Sequence, residues 1–567
     1  MDDIAIVLCG EAGQGVQTVE RILVHVLKHS HFHVFATKEY MSRVRGGSNS
    51  TEIRVSSKRA RAYVDKMNIL IPFHPGAIDH VRNRISSQTM VLADPKFVSE
   101  DSCAPACQFV HIPLVQIAEE IGSLIYLNIV AASVVLGMFQ IDLEFLSEII
   151  RQYFSRKGEE IVQKNLEAVR RGHEIGRDIS QSDRFQVGIS PDPQVADEIL
   201  LNGAEAVGLG ALVGGCNFLP SYPMSPSTGV MVFLSQQTKD FDIVVEQAED
   251  EISAINMALG ASYAGARSMV TTSGGGFALM IEGISLAGMI ETPVVVHIAQ
   301  RPGPATGLPT RTEQADLDLV LYAGHGEFPR IIFAPGNLEQ AIILTQKAFN
   351  LADKFQIPVF ILSDQYFMDT YYNALSPDLS GLKAERHIVK TQKDYKRYVL
   401  HSDGISPRGI PGYGEGLVCV DSDEHDEEAH ITENLELRTK MVDKRLRKMA
   451  MVKAVAVPPT LFGPQDYKTL LIGWGSTFPI IREAVEILER GELAFLHFSQ
   501  VFPLHEGTKQ FLDQAEQVII IENNATSQLG KLIKLQTGID IESKILKYNG
   551  LPFSVEEIVK NLRERMK

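Results

Sequence analysis

The sequence predicts an α/β protein made of several domains, each built on a largely parallel β-sheet. Its 567 residues are enough for roughly three or four domains of ~150 residues. Short apolar runs alternate with helical segments along most of the chain, an order typical of parallel sheets. The composition, 45% hydrophobic and 22% charged, is that of an ordinary globular protein with ample core.

Charge and hydropathy exclude several classes of partner. The formal net charge of −16 argues against binding to nucleic acid or to an anionic membrane. The longest apolar run, residues 124–139, contains Asn128 and Ser133 and is shorter than a ~20-residue membrane span, so it predicts a buried helix. The N-terminus lacks the basic region of a signal peptide, and we expect a cytoplasmic protein.

Cysteine usage gives no sign of a disulfide or metal framework. The number of cysteines is odd, no pair has Cys-x-x-Cys spacing, and the five are Cys9, Cys103, Cys107, Cys216 and Cys419. We therefore expect no disulfide framework, no zinc site and no four-cysteine cluster within this chain.

Residues 1–185 are predicted to form the first domain. An apolar strand, Ile4–Cys9, runs into a glycine-containing loop and then a helical segment. Glycines in such a loop can present backbone N–H groups to a phosphate, which makes Gly13 and Gly15 candidates for an anion site. The spacing is neither Gly-x-Gly-x-x-Gly nor a Walker sequence, so a tight structural turn is the alternative.

Two arginines follow in the same domain. Arg43 and Arg45 precede a Gly-Gly-Ser loop and could clamp a phosphate or a carboxylate, or they are solvated surface residues. Beyond them, the sequence predicts strands and then a charged helix with a linker, at residues 67–71, 90–93, 109–113 and 155–192.

Residues 196–400 are predicted to form a central domain. Its first helix leads to a loop in which Pro223 and Pro226 bracket Ser225 and stiffen the turn. The hydroxyls of this loop could contact a ligand, whereas Ser227 or Thr228 could simply cap the following helix.

A strand–helix–strand unit over residues 243–276 lies at the centre of this domain. We expect a buried strand at residues 243–245, a helix of small residues, a strand at residues 268–272 and then a glycine triplet. Glu251 stands at the start of the helix. It either compensates the helix dipole or holds a carboxylate at a domain surface for proton chemistry.

The next buried strand, residues 293–299, is followed by a long loop with Arg301 and Arg311. Loops after the carboxyl ends of strands bind ligands in open α/β sheets, and arginine suits bidentate capture of a carboxylate. Later strands are predicted at residues 331–334 and 358–363. His325 lies between sheet elements and is either a general acid or an ordinary loop histidine.

The C-terminal part divides into a linker, residues 401–460, and a last α/β domain, residues 461–567. The linker carries an acidic run around His425, which is either a divalent-metal site or a solvated loop, and a charged helix. In the last domain, strands are predicted at residues 470–473, 493–498 and 517–522, and the glycine turn after the first of them is expected to pack rather than to bind a ligand.

These residues resemble the α subunit of 2-oxoacid:ferredoxin oxidoreductases with the γ domain fused at its N-terminus. Residues 222–228, Tyr-Pro-Met-Ser-Pro-Ser-Thr, are similar to the family's Tyr-Pro-Ile-Thr-Pro-Ser-Thr, and residues 10–16 are similar to its Gly-x-Gly-Gly-Gln-Gly-Val. The agreement covers nearly the whole chain in one order. Three positions depart from the pattern, with Ala12 for Gly, Met224 for Ile and Ser225 for Thr.

The resemblance implies a γ-like domain, a pyrimidine-type thiamine-diphosphate-binding domain and a transketolase C-terminal-like domain. It implies that Glu251 bonds N1′ of the aminopyrimidine and favours the imino tautomer that deprotonates the thiazolium ring. The remaining implied contacts are Tyr222 and Pro223 to the cofactor, Ser225, Arg301 and Arg311 to the substrate, and the loops of Gly13, Gly15, Arg43 and Arg45 to coenzyme A or a phosphate.

The resemblance also implies a hetero-oligomer. The chain has no motif for Mg²⁺ and a diphosphate and no cysteine set for an iron–sulfur cluster. In the family both the Mg²⁺ site and the 4Fe–4S cluster lie on a β subunit, so we expect an α2β2 assembly with ferredoxin and coenzyme A as further partners. The family carries a similar acidic segment, which makes residues 421–428 a possible lid.

The implied activity is oxidative decarboxylation of a 2-oxoacid to an acyl-CoA. 2-Oxoglutarate is favoured because the γ–α fusion is common in that branch, while pyruvate and branched 2-oxoacids stay open. Two other readings compete with it: a self-contained, non-oxidative thiamine decarboxylase or synthase, and a module that binds coenzyme A or a dinucleotide without catalysis of its own.

Overall fold

The computed structural model describes residues 3–11, 15–41, 47–102, 107–182, 185 and 187–566. Their strands are, in order, β1 (Asp3–Glu11), β2 (His33–Glu39), β3 (Ser48–Ser56), β4 (Ile69–Pro72), β5 (Met90–Ala93), β6 (Gln108–His111), β7 (Glu198–Asn202), β8 (Phe218–Ser221), β9 (Val244–Gln247), β10 (Met269–Thr272), β11 (Val294–Gln300), β12 (Ile331–Phe333), β13 (Pro358–Asp364), β14 (Tyr371–Leu375), β15 (Thr460–Phe462), β16 (Thr469–Trp474), β17 (Leu493–Phe498), β18 (Gln500–Phe502), β19 (Gln517–Glu522) and β20 (Ser543–Leu546).

The α-helices of the same ranges are α1 (Val16–His29), α2 (Ala77–Val81), α3 (Leu114–Ile121), α4 (Leu127–Met138), α5 (Leu143–Phe154), α6 (Glu159–Gln181), α7 (Gly203–Val213), α8 (Thr228–Gln237), α9 (Glu251–Tyr263), α10 (Gly274–Leu279), α11 (Ile281–Met289), α12 (Leu317–Leu321), α13 (Leu338–Phe355), α14 (Gln365–Asp369), α15 (Leu435–Ala454), α16 (Phe478–Leu488), α17 (Thr508–Gln514), α18 (Gln528–Thr537) and α19 (Val555–Arg565). Of these described helices, none is both long and apolar enough to cross a bilayer.

The chain folds into two compact units, residues 1–201 with 370–376, and residues 202–369 with 377–567. Strand β14 pairs antiparallel with β2 and so belongs to the sheet of the first unit, although its sequence falls within the predicted central domain. The domain boundaries proposed from the sequence otherwise stay a prediction.

The first unit contains an eight-stranded sheet in the order β6-β5-β4-β1-β3-β2-β14-β7. The predicted strands β1, β4, β5 and β6 form its parallel part. Strands β3, β2 and β14 continue it in antiparallel order and were not predicted. The predicted apolar helix, α4, is buried along almost its whole length.

Strand β3 shows why this antiparallel part of the sheet is not predicted from hydropathy. Its residues Ser50, Thr51 and Glu52 are polar, yet they are at most 9% exposed. The strand pairs with β1 on one side and β2 on the other, so its backbone is fully bonded and its side chains are covered. The central position of β3 in the sheet therefore places polar residues in the interior, where a hydrophobic periodicity does not mark them.

The second unit contains two five-stranded sheets and a short two-stranded one. The central sheet has the order β10-β11-β13-β12-β18 and is parallel except for β18. The C-terminal sheet has the order β15-β17-β16-β19-β20 and is parallel except for β15. Because β18 comes from the C-terminal part and joins the central sheet, one continuous core spans both sheets.

The predicted strands of this unit are confirmed, with one correction. The segment expected as a buried strand at residues 243–245 is β9, which pairs only with β8 in a two-stranded ribbon. Val244 is 55% exposed, so the prediction of burial is wrong. An apolar run predicts a strand, but it does not determine whether both faces of that strand are covered by protein or one is exposed to solvent.

Candidate active site

Glu251 is the first residue of α9 and does not act as its cap. The N-cap is Asp250, whose carboxylate accepts a hydrogen bond of 2.7 Å from the backbone N–H of Ser253. Glu251 is 3% exposed, and its Oε1 atom has no hydrogen-bond partner among the described residues. A carboxylate that only compensated the helix dipole would gain nothing from this burial, which is costly without a partner.

The glycine triplet at the start of α10 lets the backbone lie close against this carboxyl group. A Cβ on Gly276 would lie 2.5 Å from Oε1 of Glu251, and a Cβ on Gly274 would collide with the carboxyl group of Asp316. A side chain at either position would therefore displace a carboxylate. Bare backbone lets both groups face the same turn.

The loop of residues 222–228 lies next to this turn. Met224 accepts hydrogen bonds at its backbone oxygen from Ser227 Oγ (2.7 Å) and at its sulfur from Ser273 Oγ (2.6 Å). Ser227 occupies the N-cap position of α8 but makes no side-chain capping bond, so capping does not explain its hydroxyl. Ser225 is exposed, and Tyr222 is 39% exposed.

Arg301 connects the loop after β11 to this region. Its Nη1 donates a 2.7 Å hydrogen bond to the backbone oxygen of Ser225. Partial burial lowers the pKa of Arg301, while the charges of Asp316 and Glu251 oppose that shift. Glu251, Ser225, Arg301 and Asp316 are thus one electrostatically connected group.

Arg311 lies in a different setting. It sits beside Gly550 of the C-terminal segment, and the next residue, Thr312, donates a 3.1 Å backbone hydrogen bond to the Gly550 oxygen. The sequence offered Arg301 and Arg311 as equal candidates, and Arg301 is hydrogen-bonded to the loop of Ser225.

Gln314 joins the segment after Arg311 to the C-terminal sheet, and no role was predicted for it from the sequence. Gln314 is fully buried and exchanges hydrogen bonds with Asn523 (2.7 and 3.1 Å). Its side-chain Nε2 donates to the Trp474 oxygen at 2.9 Å. The predicted packing role of the glycine turn after Trp474 agrees with this contact, and the C-terminal sheet fixes the loop that carries Arg301.

Asp316 was also given no role from the sequence. Its Oδ2 atom is shielded from solvent and has no hydrogen-bond partner among the described residues. Burial raises the pKa of Asp316 to about 7, Glu313 adds to the shift, and Arg301 opposes it. The only signal in the sequence was its place at the end of a loop after a strand's carboxyl end.

The acidic run around His425 is organised by arginines. Glu424 forms ion pairs with Arg438 and Arg445, and these contacts lower the pKa of Glu424 against the effect of burial. The ring of His425 is buried 4.0 Å from the ring of Tyr398. Among the described residues, no group of three or more His, Cys, Asp and Glu side chains is arranged to hold a metal ion. His325 is exposed.

The glycine loop of the first unit is described only in part, since Gly13, Arg43 and Arg45 lie outside the described residues. Gly15 adopts φ 76° at the start of α1, in the left-handed region that favours glycine. It lines a cavity of about 590 Å³ together with polar side chains of Thr18, Asn128 and Lys157. The space there is large enough for part of a ligand.

Comparison with known proteins gives a consistent result. A family model described as pyruvate flavodoxin/ferredoxin oxidoreductase, thiamine diphosphate-binding, matches residues 209–444, and one described as pyruvate ferredoxin/flavodoxin oxidoreductase matches residues 5–175. The 2-oxoacid:ferredoxin oxidoreductase subunit alpha of Sulfolobus sp is 30% identical, with 97% of this chain and 95% of that protein covered. The KorA subunit of the 2-oxoglutarate oxidoreductase of Mycobacterium tuberculosis is 30% identical, with 77% of this chain and 68% of that protein covered.

A solved structure shares the whole architecture. The 2-oxoglutarate:ferredoxin oxidoreductase from Magnetococcus marinus, determined with 2-oxoglutarate, coenzyme A and succinyl-CoA bound, matches with a TM-score of 0.93 and 31% identity, and both chains are covered completely. The predicted fold class and the resemblance drawn from the sequence are confirmed. The chain belongs to the family of 2-oxoacid:ferredoxin oxidoreductase α subunits, and its second unit contains that family's thiamine-diphosphate-binding domain.

Proposed function

We propose that this chain, with a β subunit, oxidatively decarboxylates a 2-oxoacid in the presence of coenzyme A and passes the electrons to ferredoxin. 2-Oxoglutarate is the favoured substrate. The observation that carries the proposal is the buried, unpartnered Oε1 atom of Glu251 beside the bare backbone of Gly276.

The residues present fit thiamine diphosphate. A buried carboxyl oxygen without a partner is costly, and a ligand nitrogen that carries a proton would remove that cost. In this proposal Glu251 holds the proton at N1′ of the aminopyrimidine, while Tyr222 and Pro223 lie against the cofactor. The bound cofactor supplies an electron sink for the bond to the departing CO₂.

The substrate carboxylate is assigned to Arg301. One N–H group of its guanidinium is committed to the Ser225 oxygen, which fixes the orientation of the planar group and leaves further N–H groups for a ligand. The exposed hydroxyl of Ser225 stands on the same loop and is assigned to the substrate as well. Arg311 stays a second candidate for a carboxylate, because it belongs to the same loop.

Support for 2-oxoglutarate comes from the names of relatives. The M. tuberculosis KorA protein belongs to a 2-oxoglutarate oxidoreductase, and the M. marinus enzyme was solved with 2-oxoglutarate and coenzyme A. Pyruvate and branched 2-oxoacids are the alternatives. Coenzyme A, or its phosphate, is assigned to the glycine loop of Gly13 and Gly15 with Arg43 and Arg45, next to the cavity at Gly15.

The proposed assembly is α2β2. The sequence has no motif for Mg²⁺ with a diphosphate and no cysteine set for a cluster. We assign Mg²⁺ and a 4Fe–4S cluster to the β subunit, so that the carboxylate of Glu251 and the diphosphate anchor belong to different chains.

To test the proposal, the chain is co-expressed with the β subunit. The rate at which the complex reduces a viologen dye is then measured with coenzyme A and each of several 2-oxoacids. Glu251→Gln is expected to lower kcat by about 10²- to 10⁴-fold, the usual range for loss of a positioned proton-transfer group. Glu249→Gln is the matched control, because Glu249 is exposed two residues earlier in the chain. We expect the control to keep full activity.

Two results would contradict the proposal. Full activity of Glu251→Gln would remove its central residue. Turnover of a 2-oxoacid by the purified single chain with only thiamine diphosphate and Mg²⁺ would instead support the non-oxidative decarboxylase.

A further inference from the structure

Two carboxyl groups face the turn of residues 274–276, and only one of them has a role in the proposed function. The carboxyl group of Glu251 lies against Gly276, and that of Asp316 lies against Gly274. Each has one oxygen that is shielded from solvent and has no hydrogen-bond partner among the described residues. Asp316 is therefore held beside the reaction site at an energetic cost that its own fold does not explain.

Helix capping does not account for Asp316. It occupies the N-cap position of α12, where aspartate usually accepts a backbone N–H, but its side chain makes no capping bond. Its backbone N–H is bonded instead to Oε1 of Gln300 at 3.0 Å. The carboxyl group points away from the helix that it begins.

The surrounding segment fixes Asp316 in this orientation. Gln314 is bonded to Asn523 and Trp474, and the Ala315 oxygen accepts a 2.8 Å hydrogen bond from Gln528. The backbone on the N-terminal side of Asp316 is thus anchored at two successive residues. These bonds fix the backbone that carries the carboxyl group of Asp316.

The charged groups that act on Asp316 are Arg301 and Glu313. Arg301 attracts its charged form, and Glu313 repels it. The charges of Asp316 and Glu251 both raise the pKa of Arg301 against the effect of burial. An ionised Asp316 would thus compete for the same guanidinium that the proposed function assigns to the substrate.

We propose that Asp316 is a positioning residue that controls 2-oxoacid binding through Arg301. The neutral carboxyl group of Asp316 permits capture of the substrate carboxylate, and the ionised group opposes it. The inference rests on the proposed function. No covalent step is involved, and the only transfer is uptake of one proton from solvent by the Asp316 carboxylate when the substrate anion binds.

The pKa of Asp316, raised to about 7 chiefly by burial, places this change near neutral pH. If only the neutral form admits the ligand, the apparent Kd rises by about tenfold between pH 6 and pH 8. At pH 8 binding is accompanied by uptake of close to one proton per site. A carboxyl group with a purely structural role would cause neither effect.

The experiment is calorimetry on the loaded α–β complex with glutarate, which has the chain and both carboxylates of 2-oxoglutarate but no oxo group to react. Titrations in buffers of different ionisation enthalpy measure the linked proton. The pH dependence of kcat/KM for 2-oxoglutarate is measured in parallel. We expect tenfold weakening and proton uptake for the wild type.

Three variants sharpen the result. Asp316→Asn is expected to bind glutarate with the same Kd at pH 6 and pH 8 and with no proton uptake. Asp318→Asn is the matched control, because Asp318 lies two residues further on and pairs with Lys531 at 3.1 Å, and it is expected to behave as the wild type. Glu313→Gln keeps Asp316 intact and is expected to move the transition to lower pH, because it removes a repelling charge.

Two results would overturn this inference and leave the proposed function intact. One is glutarate binding without uptake of a proton, and the other is the same pH dependence of binding in Asp316→Asn as in the wild type. A wild-type complex that neither binds glutarate nor reduces viologen with any 2-oxoacid overturns both.

Discussion

Two charged segments of the second unit differ in whether their carboxylates have partners within the chain. In the segment of residues 421–445, Glu424 is paired with Arg438 and Arg445. In the same part of the fold, Lys444 and Lys448 of α15 pair with the buried carboxylate of Glu291. Around residues 274–276, by contrast, Glu251 and Asp316 each keep a buried oxygen without a partner.

The difference separates carboxylates that are paired within the fold from carboxylates that our proposals assign to ligand binding. A paired buried charge is satisfied within the chain, and removing one member strands the other. An unpartnered one weakens the free protein and is compensated only when something binds. The comparison therefore predicts opposite effects of similar substitutions.

The largest expected effect is on the paired side. Glu291→Gln leaves Lys444 and Lys448 as buried cations, and we expect it to lower the free energy of unfolding by about 3–5 kcal/mol. The measurement is denaturant unfolding followed by the fluorescence of Trp474, the single tryptophan of the chain. Glu282→Gln, at an exposed glutamate of α11, is the control. A stability equal to the control's would show that the pairing contributes nothing.

A buried histidine sharpens the rule. His497 is fully buried, and neither ring nitrogen has a hydrogen-bond partner among the described residues, yet it packs 4.4 Å from the ring of Phe478 within the core. Burial lowers its pKa to about 3. Lack of a hydrogen-bond partner therefore does not by itself indicate a ligand, and for Glu251 the proposal also depends on the neighbouring charge of Arg301.

This histidine should make the second unit acid-sensitive. The unfolded chain takes up the proton near pH 6.5 and the folded chain only near pH 3, so stability is lost as pH falls between these values. Between pH 7 and pH 5 the contribution of His497 to this loss is about 2 kcal/mol. His497→Leu is expected to remove that contribution, while buried His297, whose pKa is also lowered to about 3, keeps its own. Unfolding curves of both proteins at the two pH values measure it, and an unchanged pH dependence would contradict the assignment.

The smallest effect is expected on the unpartnered side. Glu251→Gln replaces a buried carboxyl group whose Oε1 atom has no hydrogen-bond partner among the described residues. The stability of the ligand-free chain should therefore stay the same or rise by about 1 kcal/mol, while activity falls as described above. Thermal unfolding of wild type and variant without cofactor checks this. A destabilisation similar to that of Glu291→Gln would mean that Glu251 holds the fold.

Much of the fold was predictable because apolar runs mark strands that are covered on both faces, such as β11, β13 and β16. Strand β3 was missed because several of its buried residues are polar, and β9 was wrongly expected to be buried. In the proposed site, a helix start, a stiff turn and a strand end made Glu251, Ser225 and Arg301 candidates, and the family resemblance supplied their expected roles. Gln314 and Asp316 were missed, because their significance depends on contacts with residues far along the chain or close only in space.

The sequence by itself determined the α/β class, the family and the candidate residues, because these follow from local periodicity and short motifs. Only the tertiary structure decided which carboxylates find partners, that the C-terminal sheet holds the Arg301 loop through Gln314, and that Asp316 lies against the same glycine turn as Glu251. The physical reason is that desolvation and pairing depend on neighbours brought together from distant parts of the chain, and no spacing along the sequence specifies them.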